Sequence, residues 1–405
     1  MSLSGVLAAL ALLSFALMLW QWLAAWRFPL HRRAADLSFA PAVTLLKPLK
    51  GCDAATADCL RSWLAQDYAG PVQILFGVAS EQDPVCDLVR QLLAEFPARA
   101  AQLVICGETL GANAKVSTLI QLQRLARNPV LIVSDADVRV PADLLANVVA
   151  PLRPAAVGLV NCFYRLANPT TLALRWEAVA INADFWSQVL QARSLKPLDF
   201  ALGAVMAVRR EALEQIGGFA ALVEYLADDY QLGHQIARAG WRIELCPVVV
   251  DCWSAPMGWA AAWKHQLRWA RTIRVCQPGP YFLSLLANAS LWPCLWLLAA
   301  RSTAAAAATA ACLLTRAAVA RQLQARLTQR GVGAPGWLAP IKDCLGAALW
   351  LGAFSGQRIE WRGEQYDLRT DGRLVRRPDS SRRPRMKPKS GDEPAPAKTP
   401  GFAPD

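Results

Sequence analysis

Histidine is scarce in this sequence and closely spaced cysteine pairs are missing. Only three histidines occur (His31, His234 and His265), and the 11 cysteines include no C-x-x-C pair. That pattern argues against a zinc centre or a disulfide framework and fits reduced thiols in the cytosol. Acidic residues are outnumbered, 31 against 43 lysines and arginines, for a net charge of +12. Much of the excess sits between Arg369 and Lys398, a stretch rich in Pro, Ser and Arg that reads as a disordered tail (369–405). Basic residues beside membrane segments meet anionic headgroups, so the charge does not call for nucleic acid, and none is expected as a partner. Charge is also absent from Met1 to Trp26.

A bilayer core needs about 20 apolar residues of helix, so the uncharged stretch 1–26 is long enough to span. A cleaved signal peptide is the competing reading, but there is no basic n-region, the apolar run is too long, and no convincing A-x-A cleavage site precedes the charges. A retained anchor is therefore expected. Arg27, His31, Arg32 and Arg33 close it, and the positive-inside rule puts that flank in the cytosol. The composition agrees with a membrane class: 54% apolar residues and 16 tryptophans, with a mean hydropathy of +0.23. Further apolar runs cover 275–300, 302–320 (interrupted by Arg316) and 331–357 (interrupted by Lys342 and Asp343). Mid-helix charge is costly, so the number of crossings among 275–357 stays open.

Between Pro41 and Trp253 short apolar runs alternate with helical stretches. Strands are expected at 42–46, 72–79, 102–106, 130–134 and 157–162, and helices at 54–66, 83–96 and 115–127. Such alternation implies an α/β domain with a mostly parallel sheet and right-handed crossovers. Ligands then bind at the carboxyl ends of the strands.

Several polar groups fall there. Asp135 and Asp137 follow the strand at 130–134, and two carboxylates in one small cleft repel unless a hard divalent cation lies between them. Exposed turn aspartates are the bland alternative. In EYLADDYQLG (224–233), Asp228 and Asp229 start a helix, where a carboxylate serves either as a general base or as a group that favours the helix dipole. In AAWKHQLRWARTIR (261–274), Trp263, His265, Arg268 and Trp269 lie just before a membrane run. An interfacial amphipathic helix explains them, and Arg268 could also neutralise a leaving diphosphate. Lys47 in KPLKG and Lys115 in GANAK follow strand ends and could touch a nucleotide or phosphate, or be solvated loop lysines.

Taken in this order over about residues 1–275, these segments resemble the ceramide glucosyltransferase family, glycosyltransferase family 21, among membrane enzymes with a GT-A fold. LLKPLKGCD is similar to the family's opening strand and loop. Asp83 in FGVASEQDP looks like its first aspartate, which contacts uridine, and SDADVRV like the second, at metal and diphosphate. Asp229 of ADDY matches the third, the proposed base. Arg268 and Trp269 match the closing Arg-Trp motif, with His265 standing where the family has Gln or Arg. WRGEQYDL (361–368) is similar to the family's C-terminal end.

The resemblance implies a GT-A domain at 41–253, an interfacial helix at 254–274, membrane segments at 275–357, and Mg2+ or Mn2+ at Asp135 and Asp137. It implies inverting transfer of a hexose from a UDP-sugar, UDP-glucose favoured, to a membrane lipid hydroxyl such as that of ceramide. Catalytic roles fall to Asp229, Arg268 and Trp269, and donor contacts to Lys47, Asp83, Lys115, Asp135 and His265. The chain is also similar to bacterial enzymes that add N-acetylglucosamine to hopanoid polyols, which share FALGAVMAVRREALEQIGGF (200–219). Its richness in Ala and Arg suits a bacterial inner-membrane protein. A processive polysaccharide synthase would need more spanning helices, and a scaffold or transporter leaves carboxylates at successive strand ends unexplained.

Overall fold

In the computed structural model of the protein, the described residues are 2–329, 333–361 and 364–377. The strands are β1 (Val43–Leu49), β2 (Val72–Val78), β3 (Ala100–Ile105), β4 (Val130–Ser134), β5 (Val138–Arg139), β6 (Val157–Leu166), β7 (Val205–Arg209) and β8 (Arg242–Cys252). They form one sheet in the order β3-β2-β1-β4-β7-β6-β8-β5. The half β3-β2-β1-β4 is parallel, as the alternation of strand and helix predicts. β7 then inserts antiparallel between β4 and β6, so the sheet is mixed, while β6 and β8 pair in parallel.

Both faces of the sheet are covered. Along β4, Val130 and Ile132 enter one core and Leu131 and Val133 the other, the two-residue period of a pleated strand. Around the sheet pack α2 (Thr56–Leu64), α3 (Val85–Glu95), α4 (Ala114–Leu125), α5 (Leu144–Val149), α6 (Leu172–Val179), α7 (Trp186–Arg193), α8 (Arg210–Gln215) and α9 (Asp228–Arg238). A π-helical turn, Ala180–Phe185, joins α6 to α7.

Outside this domain lie α1 (Leu3–Arg27) at the start of the chain, then α10 (Trp259–Cys276), α11 (Pro278–Leu283), α12 (Leu291–Ala300), α13 (Thr303–Thr328) and α14 (Leu338–Phe354). Two of them, α1 and α13, are long and apolar enough to cross a membrane. The apolar run at 275–300 is bent by 52° between Pro278–Ala287 and Leu291–Ala300. Asn288 lies in the break, its side-chain oxygen accepting from Leu291 N (2.9 Å) and so satisfying a free donor at the start of α12. The ends of α1 and α13 meet, because Arg326 donates to the carbonyls of Trp26 (2.8 Å) and Phe28 (2.7 Å) just past α1.

A small antiparallel sheet closes the described chain, with β9 (Arg358–Trp361), β10 (Glu364–Leu368) and β11 (Leu374–Arg376) in the order β11-β10-β9. Of the expected tail, 369–377 therefore contains a strand, and 378–405 lies outside the described residues. The small sheet rests its apolar side on Leu226 and Ala112, and Leu374 N donates to Glu224 O (2.7 Å). This places it beside the loops that enter α4 and α9.

Candidate active site

The carboxyl ends of β1 and β4 and the N-termini of α4 and α9 converge on one charged cleft. Lys47, inside β1, is fully buried. Its ammonium donates to Ser134 Oγ (3.2 Å) and to the Asp135 carbonyl and sits 5.1 Å from the Trp63 ring centroid. Burial lowers its pKa to about 8, against the pull of Asp137 and Asp135. A solvated loop lysine is therefore the wrong reading of Lys47.

The same holds for Lys115. Asn113 caps α4, its side chain accepting from Val116 N (3.2 Å), and Lys115 in the first turn points inward. Its ammonium lies 2.8 Å from Asp135 Oδ1 and 3.0 Å from Asp228 Oδ2. Burial opposes the charged form, but the carboxylates of Asp135 and Asp228 outweigh it and hold the pKa above the ordinary lysine value. One buried cation thus joins β4 to α9.

Among the described residues, Asp137 and Asp229 have no such partner. Asp137 reaches the surface of the cleft, yet desolvation first, then Asp135, raises it to about 6. Burial first, then Asp228, raises Asp229 to about 6, partly offset by Lys115. Asp229 Oδ1 accepts from Tyr230 N (2.7 Å), and a Cβ at Gly203 would lie 2.7 Å from Asp229 Oδ2. One turn on, a Cβ at Gly233 would collide with the backbone of Phe200 and Ala201. Two glycines therefore let α9 press against the segment before β7 and fix the Asp229 carboxyl. Gly203 lies within FALGAVMAV, but nothing in the local pattern marks it as the neighbour of a carboxylate.

Asp228 requires a correction. As a helix-start residue it is expected to act only on the dipole, yet it is 8% exposed and paired with Lys115. Asp83 stands apart from this cluster. Its carboxylate accepts from Gly51 N (3.0 and 3.1 Å) and Val85 N (3.0 Å), so it ties the turn after β1, where Gly51 has φ +72°, to the start of α3.

His265, Arg268 and Trp269 all lie on α10. Trp269 packs on Phe185 (6.3 Å between centroids) and Phe185 on Tyr164 (5.5 Å). The Tyr164 hydroxyl is raised well above its usual value by burial, with Cys252, Asp229, Asp135 and Asp137 adding to the effect. An aromatic wall thus connects α10 to the carboxylates. His265 Nδ1 meets Glu177 Oε1 at 2.5 Å, Gln266 donates to the same oxygen (2.9 Å), and His265 also packs against Trp269 (5.2 Å). Glu177 is 2% exposed and its Oε2 has no partner. The sequence offered one signal for it, a lone acid in the apolar run LALRWEAV.

Two carboxylates with oxygen ligands to spare, Asp135 and Asp137, suit a hard divalent cation whose shell is completed by phosphate oxygens. The described residues contain no group of three or more His, Cys, Asp or Glu side chains arranged to hold a metal.

The chain is similar to several known proteins. The ceramide glucosyltransferase 3 of Caenorhabditis elegans is 24% identical over 217 residues, 53% of this chain and 47% of the relative. The ceramide glucosyltransferase of Candida albicans is 31% identical over 121 residues, 27% of this chain and 22% of the relative. The match thus spans about half the length of the worm relative. Among solved structures, a mannosyltransferase from Pyrobaculum calidifontis in complex with GDP-Man and Mn2+ superposes with a TM-score of 0.54 at 24% identity, covering 87% of this chain and 98% of its own. That likeness establishes the GT-A-like fold. The family described as glycosyl transferase family 21 matches residues 6–374, nearly the whole chain, so the protein belongs to that family and is a glycosyltransferase.

Proposed function

We propose that this glycosyltransferase moves a hexose, glucose favoured, from a UDP-sugar to a hydroxyl of a membrane lipid such as ceramide, with inversion at the anomeric carbon. The observation that carries the reading is the Lys115 bridge between Asp135 and Asp228 beside the half-buried Asp229, which has no ion pair among the described residues. Paired aspartates near a donor diphosphate and a separate carboxyl of raised pKa are what an inverting displacement needs.

In this reading Asp229 accepts the proton of the lipid hydroxyl while that oxygen attacks the anomeric carbon. The bond from that carbon to the diphosphate oxygen breaks on the opposite face, and UDP leaves. One displacement turns an α-linked donor into a β-linked glycolipid. Asp83 and the Gly51 turn face the uridine, Lys47 and Lys115 hold the strand-end carboxylates in place, and Arg268 takes up charge on the departing diphosphate. Asp135 and Asp137 would hold Mg2+ or Mn2+, which supplies Lewis-acid stabilisation of the diphosphate when bound. Trp269, with His265 beside it, lines the path from the membrane.

Residues 1–26 serve as the anchor, 41–253 as the catalytic domain on the cytosolic side, 254–274 as the interfacial helix and 275–357 as the membrane segments. α1 and α13 support this, both ending in basic residues at the same side. The test is transfer by the purified full chain from labelled UDP-glucose and UDP-N-acetylglucosamine, each against ceramide and a hopanoid polyol. A β-glucosyl lipid is expected. Label entering only the polyol from UDP-N-acetylglucosamine moves the assignment to hopanoid glycosylation, and no transfer to either lipid overturns it.

A further inference from the structure

Arg268, Arg271 and Arg274 recur every third residue of α10, and only the first enters the proposed reaction. After α14 the chain turns through Gly356, at φ +127°, into β9, and Arg271 donates to the Arg358 carbonyl there. Between the end of α10 and the small sheet lies a cavity of about 790 Å³, whose lining includes Arg271, Arg358, Arg369, Arg377 and Asp367. Asp367 is committed to Arg377 at 3.1 Å. Arg271, Arg358 and Arg369 pair with no carboxylate among the described residues.

Guanidinium groups gathered round a concave space repel one another unless an anion joins them, and their planar forks match the oxygens of a phosphate. Among the described residues, Arg271 and Arg274 each bury an Nε–H that has no hydrogen-bond partner, an unsatisfied state that costs free energy. Burial and the neighbouring Arg274 also depress the pKa of Arg271, so its charge lacks a counterion. The surroundings indicate the depth of the cavity. At the end of α14, Trp350 and Phe354 form an aromatic cluster with Tyr281 and Phe282 of α11, and Arg274 stacks over Phe354 at 5.6 Å. Such aromatics settle at headgroup level, where basic pockets meet phosphate.

We propose that this arginine-lined cavity is a phosphate-binding site, distinct from the aspartate cleft, that takes the phosphate of an anionic phospholipid headgroup or a free phosphate or diphosphate. Arg271 follows Arg268 by one turn of α10, so an anion held there steadies the helix that carries the Arg-Trp motif.

The test uses the full chain without UDP-sugar, so its outcome is independent of the glycosyl-transfer reading. Protein is reconstituted in nanodiscs of phosphatidylcholine, with or without phosphatidylglycerol, and the lipid retained after detergent exchange is weighed by mass spectrometry. In a second arm, inorganic phosphate and pyrophosphate are titrated calorimetrically into phosphatidylcholine discs. Wild type should enrich phosphatidylglycerol, and Arg358→Gln with Arg369→Gln should cut the enrichment roughly 30-fold, as expected for two lost cation contacts near a surface. If only the inorganic anions bind, and the double variant loses that binding, the source is a free phosphate. Unchanged circular dichroism and thermal unfolding show that the variant is folded, and Arg369→Gln alone replaces it if the pair fails that control. The proposal is overturned if neither anion source binds, or if binding ignores the arginines.

Discussion

At the scale of single residues, Asp228 and Asp229 are adjacent in sequence and opposite in environment. Asp228 is neutralised by Lys115, while Asp229 is half-buried against Gly203 without a cation of its own among the described residues. As a base Asp229 works only when ionised, so turnover should rise with pH through about 6 and level off above it. Asp229→Asn should lower kcat by roughly 100-fold or more while UDP-sugar affinity holds. The stability effect has the opposite sign. A carboxyl raised from 3.8 to about 6 gives stability that is full below its unfolded value and lost as pH rises through about 6. The Asn variant avoids that loss and should be more stable at pH 8 by on the order of 1–3 kcal/mol. Asp228→Asn should instead weaken donor binding, because Lys115 then leans on Asp135 alone; near wild-type donor affinity would contradict this role. Gly203→Ala drives a methyl into the Asp229 carboxyl, so kcat should fall with the fold retained on circular dichroism, and a wild-type rate would mean that Asp229 has room to move.

At the scale of elements, a buried charge network joins the π-turn to the C-terminal helices. Arg316 of α13 meets Asp184 of the turn at 2.9 Å and Asp343 of α14 at 2.8 Å, Lys342 reaches Asp184 at 2.6 Å, and Ser290 donates to Asp343 at 2.7 Å. The charges that interrupt the apolar runs are therefore paired with one another and with the catalytic domain. Asp184 precedes Phe185, so the network also fixes the aromatic wall in front of Trp269. Arg316→Leu strands buried carboxylates and should cost about 3–5 kcal/mol. Adding Asp184→Leu leaves Lys342 to pair with Asp343 and should recover most of that loss in thermal unfolding of detergent-solubilised protein. A double variant as unstable as the single one would show that the network does not hold the elements together.

For the whole molecule, the prediction concerns sidedness. If α1 leaves the membrane into the cytosol, the domain from 41 to 253 is shielded in intact cells. Cys52 is the exposed thiol of that domain, and Cys86 is buried and unsuited as a probe. An impermeant maleimide should label Cys52 only after permeabilisation, and labelling in intact cells would place the domain outside. Residue and element predictions survive that result, because they depend on contacts within the protein.

The sequence by itself determined the parallel half of the sheet, the membrane class, and the positions of Asp135, Asp137 and Asp229. Those features are local: a strand buried on both faces is written as a short apolar run, Asp135 and Asp137 follow β4 directly, and Asp229 opens α9. Only the tertiary structure decided the antiparallel entry of β7, the bend at Asn288, the strands β9 to β11, and the partners of Lys115, Glu177 and Arg316. Each depends on groups far apart in the chain meeting in a low-dielectric interior, where an unpaired charge is costly and a paired one is fixed in place. Periodicity carries no record of which distant carboxylate will meet a given lysine, so Asp228 read as a helix start and proved to be one side of a buried ion bridge.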